Sequence, residues 1–190
     1  MTAPQTPRFK PLGEGDMTDA QRKVYREIAG GPRGSVRGPF NALLRSPDLA
    51  NHVQRVGEYV RFHSSLPARL NELAILVTAR YWTAQYEWYA HQQLAVKAGL
   101  DPAIAADIAQ GRRPSRMSGE ETVVYEFAKE LHEKKRVSDA THAAVLERFG
   151  ERGVVDLIGA CGYYTLVSMI LNVDRYPLPE GVAAPLADPK

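Results

Sequence analysis

Helix-start and helix-stop signals run the length of this chain, and no stretch alternates apolar and polar residues with period two over a useful length. Together these restrict the fold to helices packed on helices. Thr18 with Gln21, and Ser118 with Glu121, have the spacing of capping boxes. Ser46 before Pro47 and Asp101 before Pro102 place a polar cap ahead of a proline at the first helical position. Ser138 opens a further helix, and Gly30-Gly31-Pro32, Gly99 and Gly150 are stops. The pattern predicts helices over about 18–29, 46–63, 67–81, 83–99, 101–109, 118–134, 138–148 and 151–172, with one turn at 41–44. Thr83 is the expected cap of the helix that ends at Gly99. The expected fold class is all-α, a helical bundle joined by loops of roughly two to eight residues.

Residues 1–16, with Pro4, Pro7 and Pro11, read as an extended arm that is either disordered or wraps a neighbouring subunit. Residues 17–176 form one helical domain, and residues 177–190, with Pro177, Pro179 and Pro185, a loose tail. Leu49, Val53, Val56 and Val60 predict the apolar stripe of one helix. Leu70, Leu73, Leu76, Val77 and Tyr81 predict that of the next, with Glu72 beside it. The last helix is apolar nearly all round, from Val154 to Leu171. A helix apolar on every side needs cover on every side, which a small domain struggles to supply. Gly159 and Gly162 permit close helix approach, so a homo-oligomer is expected.

A length of 190 residues suits a single domain with a real core. The formal net charge of +2, with Lys and Arg dispersed among Asp and Glu, gives no reason to expect a nucleic-acid partner. No apolar run is expected to reach the roughly 20 residues of a membrane span. Met1 to Lys10 has no apolar signal core, so the expected location is cytoplasmic. The single cysteine, Cys161, allows neither an internal disulfide nor a CxxC motif, and its apolar surroundings suit a buried small hydrophobe.

Chemistry concentrates in Ala84-Gln-Tyr-Glu-Trp-Tyr-Ala-His91. Glu87 and His91 lie four apart on one helical face, which also runs through Trp88, Leu94 and Ala95 and therefore looks inward. A carboxylate and an imidazole on such a face need a partner or a purpose. One reading is an ion pair that only fastens two helices. The other is acid–base chemistry, with Glu72 folded back from the preceding helix onto His91. Free N–H groups at the helix start, near Ala84 to Tyr86, would favour an anion.

A metal held by Glu72, Glu87 and His91 is a competing reading, but repeated Glu-x-x-His pairs are missing. His52, His63, His132 and His142 occupy isolated positions on what read as polar or boundary faces, so a metal is not expected. Arg80, Arg61 and Arg37 are cations that could receive an acidic substrate, though each also suits a solvated face. Trp82, Tyr86, Trp88 and Tyr89 surround the motif and could wall a pocket, with Tyr163 and Tyr164 reaching the same region. The Gly-rich stretch 33–39 has no GKS or GKT after it and reads as a flexible connector.

The run Leu66-Pro-Ala-Arg-Leu-Asn-Glu72-Leu-Ala-Ile-Leu-Val, then Ala84 to His91, then Leu94-Ala95 and Ala98-Gly99-Leu100, resembles the carboxymuconolactone decarboxylase family, which includes the alkylhydroperoxidase AhpD proteins. The similarity is clearest over 47–99. Gly38-Pro39-Phe40, Gly162-Tyr163-Tyr164 and Leu171-Asn172 look like a longer subgroup. The resemblance implies an AhpD-like helical bundle assembled as a trimer or hexamer. In the peroxidase branch a glutamate, a CxxC pair and a histidine would fall on Glu72, Ala84 with Glu87, and His91. Neither thiol is present here. The decarboxylase branch is similar to this chain at Glu87 and His91. It implies cofactor-independent proton transfer on a small carboxylated or lactone molecule, in aromatic catabolism, with His91, Glu87 and Glu72 catalytic. Arg80, Arg61, Tyr86, Trp82 and Tyr163 are the expected substrate contacts. A non-catalytic, ligand-binding relative is the alternative, and a peroxidase acting through Cys161 a third.

Overall fold

The computed structural model describes residues 6–187, which are helical with no strand among them. The helices are α1 (Asp19–Gly30), α2 (Phe40–Leu43), α3 (Pro47–Phe62), α4 (Ala68–Tyr81), α5 (Gln85–Lys97), α6 (Pro102–Ala109), α7 (Gly119–Lys134) and α8 (Asp139–Asp174). Both capping boxes form, at Thr18 with Gln21 and at Ser118 with Glu121. Asp101 and Ser138 cap α6 and α8 through their side chains. Gly150, at φ 65°, breaks α8 where a stop was expected.

The axis of the molecule is α4, which packs against α5, α6, α7 and α8. From Leu70 to Ala79 every residue except Glu72 is buried. Leu73, Leu76 and Val77 share one core with Val124 and Phe127 of α7 and Leu157 of α8. Ile75 faces a second core with Val53 and Val60 of α3 and Tyr164 and Val167 of α8. Each fully buried Leu or Ile contributes about 1.5–3 kcal/mol, so truncation at Leu73 would weaken the whole bundle.

The turn from α4 to α5 is a Schellman motif. The N–H of Thr83 donates to the carbonyl of Arg80 and that of Ala84 to Ala79, at 3.0 and 2.9 Å. Thr83 is therefore not the cap of α5. It takes the left-handed position, φ 48°, that glycine usually fills, and Ala84 stands at the N-cap without a side-chain bond. The end of α5 repeats the motif with Gly99, φ 98°, in that position.

Other expectations are corrected by packing. In α3, Val53 and Val60 are buried but Leu49 and Val56 are about half exposed. The buried face is turned toward Ala50 and Gly57, whose small size lets neighbouring side chains come against the helix. Tyr81 is exposed on one side and stacks on His132. The α8 helix leaves an apolar stripe uncovered: Val155, Ile158, Met169 and Val173. An 18-residue window of α8 has mean hydropathy 1.7, long and apolar enough to cross a membrane, contrary to the sequence expectation. Over half of that window, 56%, is buried, as in a core helix.

The described part of the tail is not loose. Leu186 is buried in the core, and the Gln85 side chain donates to its carbonyl and accepts from its N–H at 2.8 and 3.0 Å. The arm follows its own chain. The N–H groups of Arg8 and Phe9 donate to the carbonyl and carboxylate of Asp174, and Asn41 donates to the carbonyl of Phe9. Residues 1–5 and 188–190 of these two segments lie outside the described residues.

Candidate active site

The tight turn at Trp82–Ala84 lays α5 back along α4, and this brings Glu72 onto His91. The His91 ring is held from both sides. Nδ1 lies 2.7 Å from Oε2 of Glu72, and Nε2 lies 2.9 Å from Oε1 of Glu87. Glu87 and His91 are 4% and 5% exposed, and the Glu72 side chain is 12% exposed. Burial pushes the His91 pKa down, but the two adjacent carboxylates and their hydrogen bonds overcome it and raise it to about 9. At neutral pH the ring is an imidazolium that donates one N–H to each carboxylate.

Glu87 and His91 form part of the wall of a cavity of about 360 Å³, whereas Glu72 stands behind the ring and off that wall. Tyr164 meets His91 edge to face, with ring centroids 4.8 Å apart, and its hydroxyl is buried without a partner. Tyr163 and Tyr164 both have pKa values raised, first by burial. Tyr86 is raised to about 12, by burial and then by Tyr176, whose ring packs edge-on against it.

The cavity lining is also cationic. Arg33, Arg37 and Arg61 line the cavity, and none has a carboxylate partner among the described residues. Arg33 lies over the Phe40 ring at 4.9 Å and donates from Nη2 to the Tyr163 hydroxyl at 3.2 Å. Arg61 lies over its neighbour Phe62.

Of the residues expected at the site, Glu87, His91, Arg61, Tyr86 and Tyr163 are brought to the cavity, and Glu72 to its histidine. Arg80 and Trp82 are not. Arg80 is directed to Thr83 and to the carbonyl of Ala187, beside a separate cavity of about 100 Å³ that His132 also lines. Trp82 donates from its indole to Thr165 and accepts from Asn172 at its carbonyl. The turn that folds Glu72 onto His91 carries both residues away from it. Nor do Ala84 and Gln85 reach the cavity, since Gln85 is engaged with Leu186.

The stretch 33–39 is more than a connector. Arg33, Ser35, Arg37, Gly38 and Pro39 all line the cavity, and Gly38 sits at φ 64° against the Tyr86 ring. A signal for it was present: residues 28–47 hold three arginines, Arg33, Arg37 and Arg45, and no Asp or Glu. His132, expected on a polar or boundary face, is buried and 2.9 Å from the Thr78 hydroxyl. Burial, aided by Lys135, lowers its pKa to about 4.

Cys161 lies in the core between α4 and α8, off the cavity, and burial pushes its thiol up to about 12. Both nitrogens of His91 are engaged by carboxylates, leaving no ring lone pair for a metal. Among the described residues no group of three or more His, Cys, Asp or Glu is arranged to hold a metal ion.

The site is a buried Glu–His–Glu chain at the α4–α5 turn of an all-helical bundle, and solved structures share the whole architecture. An alkylhydroperoxidase AhpD core, an uncharacterized peroxidase-related protein from Ralstonia eutropha JMP134, aligns with TM-score 0.75 and 17% identity over 94% of this chain and 95% of that one. An uncharacterized peroxidase-related protein from Silicibacter sp. TM1040 aligns with TM-score 0.75 and 16% identity, over 95% and 96%. The debrominase Bmp8, solved with 2,3,4-tribromopyrrole, aligns with TM-score 0.71 and 12% identity, over 96% of each chain. At these identities the likeness is one of fold. No protein of curated function matches the sequence significantly. Residues 47–130 match the model of the carboxymuconolactone decarboxylase family. That span contains Glu72, Glu87 and His91, whereas Arg33, Arg37, Tyr163 and Tyr164 lie outside it.

Proposed function

We propose that this chain is a cofactor-independent acid–base enzyme, of the lyase or isomerase type, acting on a small carboxylated or lactone-containing molecule. The observation that carries this reading is His91 between two carboxylates, opening on a cavity also lined by arginines that have no carboxylate partner among the described residues. Glu87 is the carboxylate on the cavity wall and the first group a substrate proton would meet. In a decarboxylation, the carbon–carbon bond to the carboxylate breaks and its electron pair stays on the substrate as an enolate. The Nε2 proton of His91, shared with Glu87, then goes to that carbon or oxygen. Glu72 holds the imidazolium in place from behind, and solvent restores the proton. Arg61 receives a carboxylate, and Tyr86 and Tyr163 wall the substrate.

The test is a screen of lactones and 2-oxo acids with detection of released carbon dioxide. Replacing His91 by Asn should then cut turnover on the identified substrate about 100-fold or more. Full turnover by that variant would sink the mechanism.

A second reading is favoured by the same ring: with both nitrogens engaged, no lone pair faces the cavity in the resting state. Glu87 and His91 would then be a structural ion pair in a protein that binds small acids without converting them. Saturable ligand binding with no turnover across the screen would establish it.

We also propose that α8 forms a subunit interface. Val155, Ile158, Met169 and Val173 are exposed, and a Cβ added at Gly159 or Gly162 would meet nothing within 4 Å. Sedimentation showing only monomer at micromolar concentration would remove this proposal.

A further inference from the structure

We infer that Arg33, held by Phe40 and Tyr163 over the bare backbone of Gly57, is a receptor for an anionic group of the ligand, in addition to Arg61. This rests on the cavity being a small-acid site, and it names a group that recognises the acid.

Three features suit Arg33 to receive an anion, and Arg37 and Arg61 share only the last of them. Its guanidinium is fixed from two directions, by the face of Phe40 at 4.9 Å and by the Tyr163 hydroxyl at 3.2 Å. A guanidinium held in this way loses little freedom on meeting a carboxylate, and its planar fork matches two carboxylate oxygens. Its Nε–H is withdrawn from solvent and has no partner. An unsatisfied buried donor leaves the guanidinium charge under-compensated, which favours an anion beside its accessible edge. Finally, no Asp or Glu among the described residues neutralises it.

Gly57 makes this arrangement possible. A Cβ built there would lie 2.1 Å from the Tyr163 hydroxyl oxygen and 2.3 Å from Nη2 of Arg33. No side chain fits without displacing both. Tyr163 and Tyr164 link this cation to the acidic end: Tyr163 accepts from Arg33, its ring centroid is 5.1 Å from that of Tyr164, and the Tyr164 centroid is 4.8 Å from that of His91. An acid anchored at Arg33 would extend across the tyrosines toward Glu87 and His91. Gly57 and Tyr163 are thus positioning residues, and Arg33 the binding residue.

The experiment is calorimetric titration of the full chain with glutarate, a short flexible dicarboxylate, at pH 7.5. Thermal melts of each variant accompany it. Wild-type protein should bind glutarate saturably. Arg33→Gln should weaken binding about 10-fold or more, the scale of one charge-assisted pair. Arg33→Lys should recover part of the loss. Gly57→Ala should weaken binding by a similar factor, and Tyr163→Phe by less. If Gly57→Ala does not fold, the two Arg33 variants and Tyr163→Phe decide the matter. No saturable binding by wild-type, or binding unchanged in Arg33→Gln, overturns the inference.

His91→Gln separates this inference from the enzymatic reading. Arg33-dependent binding in a protein without turnover upholds the receptor and sinks the enzyme. Turnover that depends on His91 but not on Arg33 does the reverse.

Discussion

Two histidines of this protein are buried almost equally, His91 at 5% and His132 at 8% exposure, yet their pKa values are shifted in opposite directions. Burial disfavours the imidazolium in both. At His91 two carboxylates reverse that effect and raise the pKa to about 9. At His132 the neighbours are a hydroxyl, the Tyr81 ring and the Lys135 ammonium, and the pKa falls to about 4. Thr78 donates its hydroxyl proton to the Ala74 carbonyl, so His132 must donate from Nε2, which suits a neutral ring. The lesson is that depth does not set the charge of a buried histidine; the partner does. Where two acids meet it beside a cavity, a proton is stored within reach of a ligand. Where a hydroxyl meets it, the ring is a structural fastener.

The most severe test of this contrast is substitution of each histidine in turn. On the proposed reading His91→Asn lowers turnover about 100-fold or more, measured as carbon dioxide release or substrate loss. His132→Ala, by the same assay, changes turnover less than twofold. It lowers stability by about 1–3 kcal/mol in urea unfolding, because Tyr81 and Thr78 lose their partner. If the two variants exchange these effects, the assignment of roles is wrong.

Stability against pH separates the rings by sign. His91 has a folded-state pKa of about 9, above the ordinary 6.5. Its contribution is complete below about pH 6.5 and is lost as pH rises toward 9. His132, lowered to about 4, contributes in the opposite window: its share is complete above about pH 6.5 and is lost as pH falls toward 4. Unfolding midpoints measured from pH 4 to 10 should fall on both sides. His91→Gln should flatten the alkaline side alone and His132→Gln the acid side alone. Titration of the ring C–H resonances checks the same order directly. A His91 resonance that titrates near 6.5 would show that the carboxylates do not control it.

The smallest expected effect concerns the two cavities. Arg80→Gln, beside His132, should leave turnover within twofold. Arg61→Gln, beside His91, should raise KM about 10-fold, the scale of a charged hydrogen bond to substrate. Equal effects would mean that Arg80 serves the site despite its position.

Much of this was legible in the chain. Capping boxes at Thr18 and Ser118, the Asp101-Pro102 start and the Gly99 and Gly150 stops are local chemistry, and local chemistry survives folding. The i, i+4 spacing of Glu87 and His91 put both on one buried face. The expectations that failed all depended on distant neighbours. Leu49 and Val56 were assigned to the core by spacing alone, but the small residues Ala50 and Gly57 turned the helix. Thr83 looked like a cap because threonine commonly is one; the Schellman turn took it instead. Arg80 and Trp82 are close to Glu87 in sequence, and that same turn directs them elsewhere.

By itself, then, the sequence determined the helices, the match to a family model over residues 47–130 and the Glu–His pair, since each follows from spacing within a few turns of chain. Tertiary structure alone decided what faces that pair. Arg33 and Tyr163 are separated by 130 residues yet are joined by a hydrogen bond beside Gly57. No local pattern encodes such a meeting, because it depends on how closely α3 and α8 approach. That approach is governed by the volume of the side chains between them, and at Gly57 there is none.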